Sequence, residues 1–190
     1  MAKFFGNLHM VLAAGLILAI GLMFAPYTQN AGGFIDVGVG IFQWLHVFFG
    51  IMWIGLLYYF NFVQIPTMPA VPAELKPGVS KYIAPKALFF FRWGAAFTVL
   101  TGLILAHLYH ELVEALTFAD GAQLIGIGMY LALIMAFNVW FVIWPAQQKA
   151  LGLVEADDAT KAAAAKRAMI FSRINTLLSI PMLLCMTVYR

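Results

Sequence analysis

The amino-acid sequence predicts an all-α integral membrane bundle of five transmembrane helices, a single domain over residues 1–190, and three observations predict it. Apolar residues make up 64% of the chain and charged residues 10%, whereas a soluble domain carries about 25% charged residues. The apolar runs lack a polar stripe, as suits helices that face lipid rather than water. Lysine and arginine fall almost wholly on one side of the alternating model that those runs define, which is the pattern of a multi-pass membrane protein.

A hydrocarbon core about 30 Å thick takes roughly 20 residues at about 1.5 Å each. Five nearly uncharged runs have that length, about His9–Tyr27, Ile41–Ile65, Ala87–Tyr109, Leu124–Trp144 and Met169–Tyr189. The first competes with a signal peptide, since Lys3 precedes an apolar stretch ending near Ala25, but no Ala-x-Ala-like site precedes Pro26, so the segment is expected to stay as a span. The second is preceded by Gly32, Gly33, Gly38 and Gly40 and followed by Pro66, Pro69, Pro72 and Pro77, which predict an irregular segment. Arg92 in the third span and Arg173 in the fifth stand near the starts of their helices, where a long side chain snorkels to the interface. Before the fifth span, the alanine-rich run from Glu155 through Lys166 predicts a leading helix capped by Asp157 or Asp158.

Orientation follows from charge. Lys3, Lys76, Lys81, Lys86, Arg92, Lys149, Lys161, Lys166, Arg167 and Arg173 lie on the N-terminal side, leaving Arg190 opposite, while Asp36, Glu111, Glu114 and Asp120 lie in the opposite loops. The N-terminus is therefore expected in the cytoplasm and the C-terminus in the periplasm. A formal charge of +3, dispersed this way, predicts no nucleic-acid partner; the expected surroundings are the lipid bilayer. The lone Cys185 excludes a disulfide framework, a Cys-based zinc site and a c-type haem, which needs Cys-x-x-Cys-His.

Polar side chains inside spans need a partner, a cavity or an interface. His46 sits about five residues, roughly 8 Å, inside the outer end of span two. His107 stands at a similar depth in span three. Two neutral imidazoles at one level are able to bind opposite faces of a haem iron or share another metal, so His46 and His107 are candidate metal ligands. Gly50, one turn from His46, leaves room for a macrocycle, and Trp53 lies on the same helix. Depth favours His107 as the second ligand; His110, on a stripe of small residues with Ala106 and Gly102, is the alternative. The competing reading makes these interfacial histidines bonded to loops or lipid. His9 is read as interfacial. The methionines form no close Met-x-x-Met cluster, which argues against copper transport.

A second polar group collects at the cytoplasmic ends: Asn61, Gln64, Arg92, Asn138, Gln147, Arg173 and Asn175. Arg92, Asn138, Arg173 and Asn175 form a possible pocket for an anionic or heterocyclic ligand, or for haem propionates. Helix-to-helix hydrogen bonding is the alternative.

Three segments carry a resemblance to a known family. They are Trp44-Leu-His46-Val-Phe-Phe-Gly50-Ile-Met-Trp53-Ile-Gly55, Asn138-Val-Trp-Phe-Val-Ile-Trp-Pro145-Ala-Gln147-Gln-Lys149 and Asn175-Thr-Leu-Leu-Ser179-Ile-Pro181; Arg92-Trp93 with Thr101-Gly102 is a weaker fourth. The chain resembles the N-terminal membrane domain of the bacterial membrane-bound urate hydroxylases, the urate oxidase N-terminal family. Full-length members of that family end in a cytochrome c domain, and this sequence has no Cys-x-x-Cys-His; Ile174 stands where the family carries a histidine. The stretch from Leu45-His46 to Trp53 and Gly55 is similar to haem-binding membrane proteins of the HemJ-type protoporphyrinogen oxidase and copper-resistance D groups, which implies haem b at His46. The resemblance implies a module of the bacterial inner membrane that holds haem b and passes electrons to a separate periplasmic c-type cytochrome. The alternatives are an oxidase or hydroxylase of urate or a similar heterocycle, and an accessory structural subunit of a larger respiratory or membrane-oxidase complex.

Overall fold

The structure, a computed structural model, describes residues 2–23 and 37–188, and every regular element among them is helical. Contacts divide the chain into two compact units, residues 1–42 and 43–190. In the first, a helical turn Ala2–Phe5 precedes α1, Leu8–Met23. Asn7 caps α1: its Oδ1 accepts the backbone N–H of His9 at 3.0 Å and of Met10 at 3.3 Å, two of the donors that a helix start leaves without partners. α1 is apolar on all sides and rises about 24 Å. The expected end of the first span, residues 24–27, lies outside the described residues.

Four helical stretches are long and apolar enough to cross a bilayer: Gly38–Ala70, Lys76–Leu108, Gln123–Ala150 and Asp158–Val188. They correspond to the second to fifth expected spans and make this a multi-pass membrane protein. Their α-helical parts are α2 (Val37–Tyr58), α3 (Ala84–Leu108), α5 (Gln123–Phe137) and α6 (Asp158–Val188), with a short α4 (Leu112–Leu116) between α3 and α5.

Three of these stretches overrun their expected ends. Pro66, Pro85 and Pro145 do not break their helices, and each follows a π-helical turn, Tyr59–Gln64, Val79–Ile83 and Asn138–Ile143 respectively. A proline ring collides with the carbonyl four residues back and offers that carbonyl no N–H. Widening the preceding turn to i→i+5 bonding moves the carbonyl aside. The irregular segment expected over Pro66–Pro77 therefore shrinks to a few residues after Ala70, and span four continues past Trp144 to Ala150.

Helix ends are chemically defined. α3 stops at His110, which takes a left-handed φ of 59° while Glu111 N–H reaches the Ala106 carbonyl at 3.0 Å, a Schellman closure with histidine in the place glycine usually holds. Asp157 caps α6 as expected: Oδ1 accepts the Thr160 N–H at 2.8 Å and Oδ2 the Thr160 hydroxyl at 2.7 Å.

Small residues set the helix contacts within the second unit. A Cβ on Gly94 would lie 3.2 Å from the Trp53 backbone nitrogen, one on Gly102 2.7 Å from His46 Cε1, and one on Gly128 2.8 Å from Cys185 Cβ. Gly126 lies against the Ala115 carbonyl in the same way. In a bilayer, close backbone approach and interhelical hydrogen bonds replace the hydrophobic drive of a water-soluble core. Trp53, Leu57, Phe91, Leu88, Met135 and Ile143 are the large side chains sealed inside.

Candidate functional site

His46 projects from α2 onto α3. Its Nδ1 lies 2.9 Å from the Thr98 carbonyl oxygen, which can only accept, so Nδ1 carries the proton and Nε2 of the neutral ring keeps its lone pair. Thr101 Oγ1 donates to the Phe97 carbonyl at 2.6 Å and stands 3.5 Å from the same Nδ1. The ring occupies the volume a side chain at position 102 would fill. A fixed tautomer with a free, basic Nε2 is the arrangement that ligating histidines use, their second nitrogen bonded to a carbonyl.

The same face of α2 continues through Gly50 and Trp53. Gly50 faces Thr98, whose methyl would be 3.9 Å from an added Cβ, so that position is a helix contact. Trp53 is fully buried and its Nε1 donor has no acceptor. Gly94, Thr98 and Gly102, four residues apart on α3, meet Trp53, Gly50 and His46 in turn. Thr98 escaped the sequence reading, although a small residue at every fourth position was a legible sign of a packing face.

The structure does not bring His107 to His46. His107 lies five residues beyond Gly102, about 140° further round α3, and is exposed. The α3 face turned to α2 at that level belongs to Tyr109, whose hydroxyl donates to Gln43 Oε1 at 3.2 Å. His110, the alternative, terminates α3 and is exposed as well. Among the described residues, no three of His, Cys, Asp and Glu gather as a metal site.

The second polar group divides in two. Asn138 and Asn175 are buried and joined by one hydrogen bond: Asn138 Nδ2 donates to Asn175 Oδ1, and Asn175 Nδ2 donates in turn to the Met135 carbonyl, both at 2.9 Å. Nearby, Asn61 Nδ2 donates to Ser172 Oγ at 2.8 Å, and Tyr58 Oη lies 3.0 Å from Ser179 Oγ. These bonds tie α2 and α5 to α6. Arg173, two residues and about 200° from Asn175, is exposed and does not join them.

Arg92 is different. Its guanidinium stacks on Trp144, with Cζ 3.2 Å from the ring centroid, yet Nε and Nη1 are buried without acceptors. Asn61 Oδ1, Gln64 Oε1 and Gln147 Oε1 are buried acceptors without donors. Trp144, the aromatic partner of Arg92, was not recognised from the sequence, because nothing in local spacing joins residues 92 and 144.

Residues 108–189 match the family model described as urate oxidase N-terminal. The resemblance seen in the sequence is thus supported over spans four and five, which hold Asn138, Trp144, Gln147 and Asn175; His46 and Arg92 lie outside the matched stretch. No curated protein and no solved structure matches the chain.

Proposed function

We propose that this membrane protein, related over residues 108–189 to the urate oxidase N-terminal family, is a redox module in which His46 Nε2 would hold the iron of haem b. The observation that carries the reading is the Thr98 carbonyl at 2.9 Å from Nδ1, which leaves Nε2 as the coordinating atom. Trp53 Nε1, buried without an acceptor, is a second point of fit, since a carboxylate of the bound group would accept from it. Gly102 keeps the imidazole seated and Thr101 steadies it. A haem supplies a one-electron couple whose potential depends on the axial ligand and its burial. Thr98 also raises the basicity of the imidazole through their hydrogen bond, and the apolar helices exclude water from it. The distribution of lysine and arginine supports five spans with a cytoplasmic N-terminus in a bacterial inner membrane. A c-type cytochrome on the periplasmic side is the electron partner that the family resemblance supports.

The test is a reduced-minus-oxidised spectrum of protein produced with ample haem. A b-type α-band is expected in the native chain and in His107→Ala, and its loss in His46→Ala. A native protein without the band, purifying instead with large partners, would leave the accessory-subunit reading standing.

A second reading rests on Arg92. A guanidinium with two enclosed N–H groups lacking acceptors, beside an indole face, at an end of the bundle that also holds the unpaired acceptors of Gln64 and Gln147, suits a planar anionic heterocycle such as urate. Urate-dependent reduction of added cytochrome c that Arg92→Ala abolishes supports this reading; turnover unaffected by the substitution removes it.

A further inference from the structure

Beyond both readings, we propose that the cleft between residues 141–149 and the start of α6 holds the headgroup of an anionic phospholipid. Phe141, Val142, Pro145 and Lys149 line it from one helix, and Thr160 and Arg167 from α6. Phe141 and Lys149 are separated by about 12 Å along the helix. The apolar part of the lining is open, Phe141 being 67% exposed.

Among the described residues neither cation has a carboxylate partner, and the Arg167 guanidinium lies 6.0 Å from the Phe171 ring. Among the described residues the sole ion pair joins Lys161 to Asp158 at 3.5 Å. Asp157 accepts from both the N–H and the hydroxyl of Thr160. Lys149 and Arg167 therefore bring positive charge to the cleft, and neither carries an ion pair among the described residues. A phosphate diester between an ammonium and a guanidinium supplies the missing anion, and basic pockets between membrane helices bind anionic headgroups in this way. A free phosphate would use the two cations alone. The adjoining exposed apolar wall favours the lipid, whose acyl chain covers Phe141 and Pro145.

The experiment is native mass spectrometry of the full chain in detergent with equimolar dioleoyl-phosphatidylglycerol and dioleoyl-phosphatidylcholine. Retention of phosphatidylglycerol is expected to exceed that of phosphatidylcholine by on the order of tenfold. The pair Lys149→Gln with Arg167→Gln should bring the ratio near one, whereas Lys81→Gln with Lys166→Gln, an equal charge change outside the cleft, should leave it high. Parity of the two lipids on the native chain overturns the proposal without recourse to any variant. So does full displacement of phosphatidylglycerol by millimolar inorganic phosphate, or a control pair that lowers the ratio as far as the cleft pair. Because the readout is lipid retention, it stands apart from haem content and from urate turnover.

Discussion

Gly102 carries no side chain, and the imidazole of His46 lies where one would be. Alanine there puts a Cβ 2.7 Å from Cε1, while alanine at Gly50 meets only the Thr98 methyl at 3.9 Å. Gly102→Ala is expected to lower stability by about 1–3 kcal/mol, as overpacking does, and to displace the ring from Thr98. Gly50→Ala should be near neutral. Thermal unfolding in detergent compares the two, and equal midpoints would mean that the imidazole is not seated as described. At this scale His46 was legible in the sequence, because a histidine deep in an apolar run is conspicuous. Its acceptor was not: a backbone carbonyl looks the same at every position, and only the packing of α2 on α3 selects that of Thr98.

Helices in this protein are shaped by prolines they do not stop at. Pro66, Pro85 and Pro145 each follow a widened turn, and the turn over Asn138–Ile143 begins at the residue that bonds Asn175. The start of α6 shows the opposite regularity, a cap readable from sequence. Hydrogen bonds from the Thr160 N–H and hydroxyl hold the Asp157 carboxyl below its ordinary value. A depressed folded-state value means that this contribution is complete above the ordinary carboxylate pKa, near 4, and is lost as pH falls through the lower folded value. Asp157→Ala should speed amide exchange at Thr160 and Lys161 at neutral pH, and acidification of the native chain should reproduce that effect. Exchange unchanged by the substitution would show that the cap does not hold the first turn of α6.

For the molecule as a whole, charge and span length make one prediction about the bilayer. With Cys185 replaced by alanine, single cysteines at the exposed positions Glu74 and Asp120 report the two sides. In intact cells a membrane-impermeant maleimide is expected to label Asp120→Cys and to spare Glu74→Cys until the cells are opened. The reverse pattern would invert the assigned orientation. The same scale explains which sites come together. Residues 92 and 144, or 61 and 172, are joined by the antiparallel course of whole spans, so their meeting depends on every helix between them.

The sequence by itself determined four membrane-length apolar helices, their membrane setting and a cap at Asp157 or Asp158, because length, hydropathy and side-chain capping act over a few residues along one stretch of chain. Tertiary structure alone decided the partners. It gave His46 Nδ1 the Thr98 carbonyl and placed His107 on an exposed face, about 140° of helix rotation from Gly102. It paired Asn138 with Asn175 and left Arg92 on Trp144 with two donors unanswered. Side-chain azimuth and interhelical register set those outcomes, and neither is carried by composition or by spacing within a single span.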